Sequence, residues 1–296
     1  MVTAILGALG GFGLWFAAVF GKDFMGNKSN LENNSNVITF IIGVVTDFFD
    51  TLGIGSFAPT TTLLKLTKQT QDRTLPGTLN VAHTLPVILE AFIFIKVIEV
   101  EAVTLISMLA AATIGAYLGA GVVAKMPEKK IQFTMGIALF VTAFLMLSGK
   151  MGWMPGGGEA LGLTGIKLVI AIVANFVLGA LMTAGIGMYA PCMALVYFLG
   201  LSPTVAFPIM MGSCAFLMPV ASVKFVKEGA YDRRASMMIT IGGLIGVIAA
   251  VNLVISVPIA TLMWIVIGVV FVTSIMMLKK ALNTPSESAS NEAKAS

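Results

Sequence analysis

The sequence predicts an all-α polytopic membrane protein. It consists of two inverted repeats, each a re-entrant hairpin of broken helix plus three transmembrane helices, and one extra N-terminal helix precedes them. Three observations lead there. First, of 296 residues 57% are hydrophobic and 11% charged, and the mean hydropathy is +0.97. A soluble domain carries roughly a quarter charged residues, so this chain has too little polar side chain to cover a water-facing surface. Second, the apolar runs last about 20 residues without the two-residue alternation of barrel strands, which leaves helices as the structure lipid permits. Third, Gly53-Ile54-Gly55-Ser56-Phe57-Ala58-Pro59 recurs as Gly185-Ile186-Gly187-Met188-Tyr189-Ala190-Pro191, an offset of 132 residues. Such a match within one chain indicates internal duplication.

Taken in order, residues 1–35 read as a transmembrane helix and a cytoplasmic loop. Residues 1–20 carry no Lys or Arg, so the charged start of a signal peptide is missing and the helix is expected to be retained. The first repeat spans 36–149, an external linker 150–160, and the second, inverted repeat 161–282. The polar stretch 283–296 is expected to be a disordered cytoplasmic tail. Within the repeats, 36–67 and 161–200 do not fit as simple spans. A helix over 36–67 would measure about 48 Å against a hydrocarbon core of about 30 Å. After Pro59 and Pro191 only about 15 Å of helix remains before the chain turns polar or meets Gly200. Both segments therefore read as hairpins that enter and leave on one side.

Charge tests this arrangement. The formal charge is +4, which reads as basic loops facing the cytoplasm rather than as a nucleic-acid surface. With both segments re-entrant and the N-terminus outside, fifteen of the eighteen Lys and Arg lie inside, leaving Lys96, Lys150 and Lys167 outside. Full crossing of both segments lowers the inside count to twelve. A rival in which 36–67 crosses while 161–200 is re-entrant gives thirteen but treats the two repeats differently.

Broken helices in inverted repeats are a common architecture of secondary transporters. Pro59 and Pro191 suit the first turn of each returning half-helix. The two N-termini would then face each other near mid-membrane, each with unpaired N–H groups and partial positive charge, a seat for an anion. Gly53, Gly55, Gly185 and Gly187 allow close backbone approach. Ser56, Thr60 and Thr61 add hydroxyls in the first copy; Cys192 and Ser213 stand in the second.

GIGSFAPTTTLLK and GIGMYAPCMALVYFLG, duplicated in a small polytopic chain, resemble the sulfite exporter TauE/SafE family of membrane anion transporters. The resemblance covers about 36–282. It implies movement of sulfur-containing anions such as sulfite or an organosulfonate across the bacterial inner membrane, with binding carried by the two GIG-to-Pro stretches. The first copy reads Asp47-Phe48-Phe49-Asp50 before its motif where the second reads Gly179-Ala180-Leu181-Met182, so the repeats differ where coupling would be set.

Asp47 and Asp50 lie three apart on one helix face, next to the break, and are candidates for coupling transport to protons or sodium. The alternative is that one of them caps the broken backbone. His83, the only histidine, is a second coupling candidate with Asn80 and Thr84 beside it, or else a hydrogen-bonded packing residue. Pro76 and Pro86 suggest an irregular helix around it. Glu90, two turns beyond His83, is read as pairing with a cation or approaching Lys96 at the outer interface. One histidine and two distant cysteines give no metal set and no cofactor. No nucleotide-binding loop or Gly-x-Ser-x-Gly elbow appears, so the chain is expected not to be an enzyme. The expected partners are a small anion, the bilayer, and a coupling proton or sodium ion, with a homo-oligomer left open. A passive anion channel, a carboxylate carrier and, last, a membrane anchor or intramembrane enzyme remain alternatives.

Overall fold

The computed structural model describes residues 2–95, 99–154, 157–253 and 259–283. Eleven α-helices follow in order: α1 Val2–Gly26, α2 Asn36–Thr51, α3 Phe57–Leu66, α4 Leu75–Phe94, α5 Ala102–Val123, α6 Glu128–Lys150, α7 Gly165–Met182, α8 Tyr189–Phe198, α9 Pro203–Lys227, α10 Arg233–Leu253 and α11 Ile259–Asn283. No strand occurs among the described residues; Ala160 and Leu201 form one isolated bridge. Among the described residues, eight helices are long and apolar enough to cross a membrane. The chain is an all-α, multi-pass membrane protein. The expected disordered tail, apart from Asn283 at the end of α11, lies outside the described residues, as does Lys96.

Both interrupted segments fold as hairpins. Ser35 N–H donates to Gln69 Oε1 (2.7 Å) and the Asn34 amide donates to the Gln69 carbonyl (3.1 Å), so α2 begins where α3 ends. In the second copy Lys167 Nζ donates to the Leu199 carbonyl (3.0 Å). Gly158 N–H reaches Leu201 O and Ser202 N–H reaches Ala160 O, each at 2.9 Å. Thus α7, although long enough to span, pairs with α8 as one arm of a hairpin.

The hairpins open onto opposite faces of the bundle. The open end of α2–α3 shares its face with the start of α6 and the end of α11, where Asp72 meets Lys65, Gln132 and Lys280. The end of α1 and start of α10 lie there too, joined by Arg233 to Asp23 (2.8 Å). The open end of α7–α8 shares the other face with the start of α5, where Glu101 N–H donates to Leu161 O (2.9 Å). Glu101 also caps α5, accepting from Val103 and Thr104 N–H, which satisfies two otherwise orphaned donors.

The pairings are symmetric under exchange of the halves: α2 packs on α10 as α7 packs on α5, α3 meets α11 as α8 meets α6, and α4 lies against α9. Small residues allow both of the first contacts. Added Cβ atoms at Gly43, Gly242 and Gly246 would strike backbone across the α2–α10 seam. At Gly115, Gly119 and Gly179 they would do so across α5–α7. Between lipid-embedded helices, close backbone approach substitutes for the hydrophobic drive available in water. The long arm of each hairpin is thus clamped to a crossing helix.

The irregularity expected in α4 is absent: the helix is continuous from Leu75 to Phe94. Pro86 lacks the N–H that would serve the Ala82 carbonyl, and Thr240 of α10 donates its hydroxyl to that carbonyl at 2.7 Å instead.

Candidate functional site

The site forms where the hairpin tips meet. Gly53, Gly55 and Gly185 have φ of 86°, 89° and 94°, a left-handed backbone that side-chain-bearing residues avoid. It lets the chain reverse within five or six residues. A Cβ at Gly55 would lie 3.8 Å from Tyr189 Cβ, and one at Gly187 would lie 3.7 Å from Phe57 Cβ. Phe57 and Tyr189 are the first residues of α3 and α8, so the two short helices begin side by side. The earliest intrahelical bonds, Thr60 N–H to Ser56 O and Cys192 N–H to Met188 O, follow Pro59 and Pro191, which have no N–H. Residues 57–58 and 189–190 therefore present backbone donors at the junction.

A polar cluster sits behind the first tip. Asp47, Asp50, Thr51, Ser56, Thr60, His83 and Glu90 are each no more than 4% exposed. His83 Nδ1 lies 2.8 and 3.0 Å from the two Asp47 oxygens, and its Nε2 lies 3.0 Å from Thr60 Oγ. His83 thus bridges Asp47 and Thr60 through its two ring nitrogens, and one chain of bonds joins α2, α4 and α3. Ser56 Oγ donates to Asp50 Oδ2 (3.0 Å). The other Asp50 oxygen is buried without a partner, as are the hydroxyls of Thr61 and Thr62. Thr51 Oγ lies 2.8 Å from Glu90 Oε1, and Tyr189 donates its phenol to Glu90 Oε2 at 3.1 Å. That last bond crosses between the repeats.

The second repeat has a neutral counterpart. Asn175 of α7 donates to Ser213 of α9 (3.0 Å), and Cys192 of α8 points its thiol at Asn175 Oδ1 (4.0 Å). Three helices are tied together as in the first copy, but by groups that hold no charge.

These positions refine the sequence expectations. Gly53, Gly55, Ser56, Pro59, Gly185, Gly187 and Pro191 lie at or beside the joined tips. Thr60 is turned to His83. Cys192, in the first turn of α8, and Ser213 both contact Asn175 in the neutral triad. Asp47 and Asp50 do not bond to each other: Asp47 takes the imidazole and Asp50 takes Ser56, a cap on the break. Asn80 donates back to the Pro76 carbonyl (2.9 Å), and Thr84 bonds the Asn80 carbonyl (2.6 Å) and Ser222 (2.9 Å). Both therefore brace α4 and its contact with α9, and neither bonds a carboxylate. Glu90 does not turn toward the interface; it is fully buried on hydroxyl partners. Sequence reasoning missed Tyr189 and Thr51 as its partners. The seven-residue step from His83, which puts Glu90 on the same face of α4, was the available signal.

The Thr60–His83–Asp47 order also matches a hydroxyl–imidazole–carboxylate relay. Thr60 Oγ is wholly buried, however, and neither cavity found beside the bundle is lined by any of the three. One cavity of about 340 Å³ reaches Gly53 and Ile54 of the first tip, between Leu145, Gly149 and Lys150 of α6 and Ala190, Met193 and Tyr197 of α8. It lies on the face where α6 ends. A larger one of about 930 Å³ lies on the opposite face among charged loop residues, including Lys65, Asp72, Asp232 and Arg233. No group of three or more His, Cys, Asp or Glu among the described residues is placed to hold a metal ion. Comparison with family models and with curated proteins finds no match.

Proposed function

We propose that this protein is a secondary transporter of a small anion, sulfite or an organosulfonate first among candidates. Access would alternate across a bacterial inner membrane, with export the expected direction. The observation that carries this reading is the contact of two half-helix starts from hairpins of opposite entry, Gly55 beside Tyr189 and Gly187 beside Phe57. Converging helix N-termini favour negative charge, and rocking of one repeat against the other would expose such a junction to each side in turn. The duplicated GIG-to-Pro stretches and their likeness to the sulfite exporter family support the substrate class.

The carboxylates behind the tip would repel an anion unless loaded with a cation. Anion binding and cation loading are then linked, each strengthening the other, and protons or sodium are the coupling ions. The face bearing Lys65, Lys68, Arg233 and Lys280 is assigned to the cytoplasm by its basic loops, with the N-terminus outside. Impermeant amine labelling of Lys167, but not of Lys68 or Lys227, from the outside of intact cells supports that orientation; the converse reverses it.

Thermal unfolding of the purified protein against sulfite, sulfate, thiosulfate, taurine, sulfoacetate and small carboxylates tests the site. Stabilisation by a sulfur oxyanion that is lost in Gly55→Leu is expected; stabilisation that survives Gly55→Leu places the ligand elsewhere. Counterflow in proteoliposomes separates a carrier, which shows trans-stimulated exchange, from a passive channel.

A further inference from the structure

We propose that Glu90 is a proton carrier of the transport cycle, held in its neutral form in this conformation, and that its bond to Tyr189 links proton release to movement of the second hairpin. The proposal rests on the transport reading above for its role, but not for the protonation state.

Two observations carry it. The first is a proton count at Thr51. Its Oγ lies 2.8 Å from the Asp47 carbonyl and 2.8 Å from Glu90 Oε1, and a hydroxyl has one hydrogen to give. Donated to the carbonyl one turn back, as helical threonines do, it leaves a lone pair facing Glu90 Oε1. In that arrangement the contact requires a hydrogen on Glu90 itself, while Oε2 accepts from Tyr189. The second observation is the charge crowding around it. Asp47 and Asp50 of α2 lie within electrostatic reach of Glu90, and Asp50 Oδ1 is buried with no partner. His83, on α4 like Glu90, supplies at most one positive charge and spends it on Asp47. Among the described residues, the remaining titratable groups nearby are Tyr189 of α8 and Cys214 of α9, which bring no positive charge. The parts of α1, α3 and α10 that pack there bring no titratable side chain. Three ionised carboxylates would leave a net negative charge out of water, at several kcal/mol per ion. A proton on one of the carboxylates removes one unit of that charge.

The exchange balances simply. Neutral Glu90 gives its proton to water on the side to which the junction opens and becomes a carboxylate; no other bond is made or broken covalently. The carboxylate then competes for the Thr51 hydrogen and holds the Tyr189 phenol more tightly, because hydrogen bonds to ionised groups are the stronger ones. Attachment of the second hairpin to α4 therefore depends on whether Glu90 is loaded.

Infrared difference spectra of the lipid-reconstituted protein, recorded as pH is raised, test this. A neutral carboxylic carbonyl band should bleach in the wild type, and the part of it that belongs to Glu90 should be missing in Glu90→Gln. Identical bands in both overturn the proposal, whatever the protein transports. In proteoliposomes loaded with sulfite, Glu90→Gln mimics the neutral acid, so its counterflow should lose its dependence on pH. It should also lower proton-driven accumulation about ten-fold at a pH difference of one unit, the worth of one coupled proton. Tyr189→Phe should keep the band and slow both modes. Unaltered accumulation in Glu90→Gln removes Glu90 from coupling, and absence of transport for every anion removes the transport reading while the band still decides the protonation state.

Discussion

Replacing His83 with glutamine should be among the most damaging single changes in this protein. The imidazole and Asp47 are both 0% exposed and 2.8 Å apart. Removing one partner of a buried ion pair costs roughly 3–5 kcal/mol, because the remaining charge keeps neither water nor counter-charge. The Thr60 hydroxyl loses its partner in the same step, worth about 1 kcal/mol, so Thr60→Ala is the necessary control. In the double variant Asp47→Asn/His83→Gln no charge is left stranded. Its total cost should be at least about 2 kcal/mol smaller than the sum of the two single changes, a coupling typical of residues in direct contact. Unfolding of the purified protein in mixed micelles, followed by tryptophan fluorescence, gives all four corners of the cycle. A cost below about 1 kcal/mol for His83→Gln, or additive single and double effects, refutes the claim that this pair holds α2, α3 and α4 together.

Thr240→Val should cost about 1 kcal/mol by leaving the Ala82 carbonyl unpaired; Pro86→Ala in that background should recover it by restoring a helical N–H, as read by the same unfolding assay. Gly246→Leu and Gly115→Leu drive a side chain into the backbone of α2 and α7 respectively and should each abolish the monodisperse peak in size-exclusion chromatography. Their symmetric positions predict similar severity. Asp232, which caps α10 outside the spans, is pushed up to about 6 chiefly by burial, against the pull of the Ala235 N–H and the Asn34 amide. A carboxyl that titrates higher in the folded than in the unfolded chain binds the extra proton in the fold between about pH 4 and 6. Stability therefore falls as pH rises through that window, and melting curves of Asp232→Asn should lack this slope.

The gross architecture was legible because bilayer physics leaves few options: run length marks the helices, and the doubled Gly-Pro breaks mark the hairpins. Bond partners across the structure were not legible in the same way. The pairing of Asp47 with His83 needs α2 and α4 brought together over 36 positions, and no local pattern announces it. Pro86 looked like a break because its rescuer, Thr240, lies 158 positions away on another helix. Spacings that did carry information went unread. Gly115 and Gly119, like Gly242 and Gly246, stand four apart and mark the two seams that clamp the hairpins. Ser213 and Cys192 bond to Asn175, a partner that no spacing in the sequence pointed to.

The account stands or falls on the meeting of the two tips. In a background lacking Cys192 and Cys214, Phe57→Cys combined with Gly187→Cys puts Cβ atoms 3.7 Å apart, inside the range a disulfide spans. Mild oxidation in membranes should join them, freeze anion exchange in proteoliposomes, and release it again on reduction. Failure of this pair to cross-link, in protein that is otherwise folded, would contradict the convergence of the hairpins and with it the proposed anion seat.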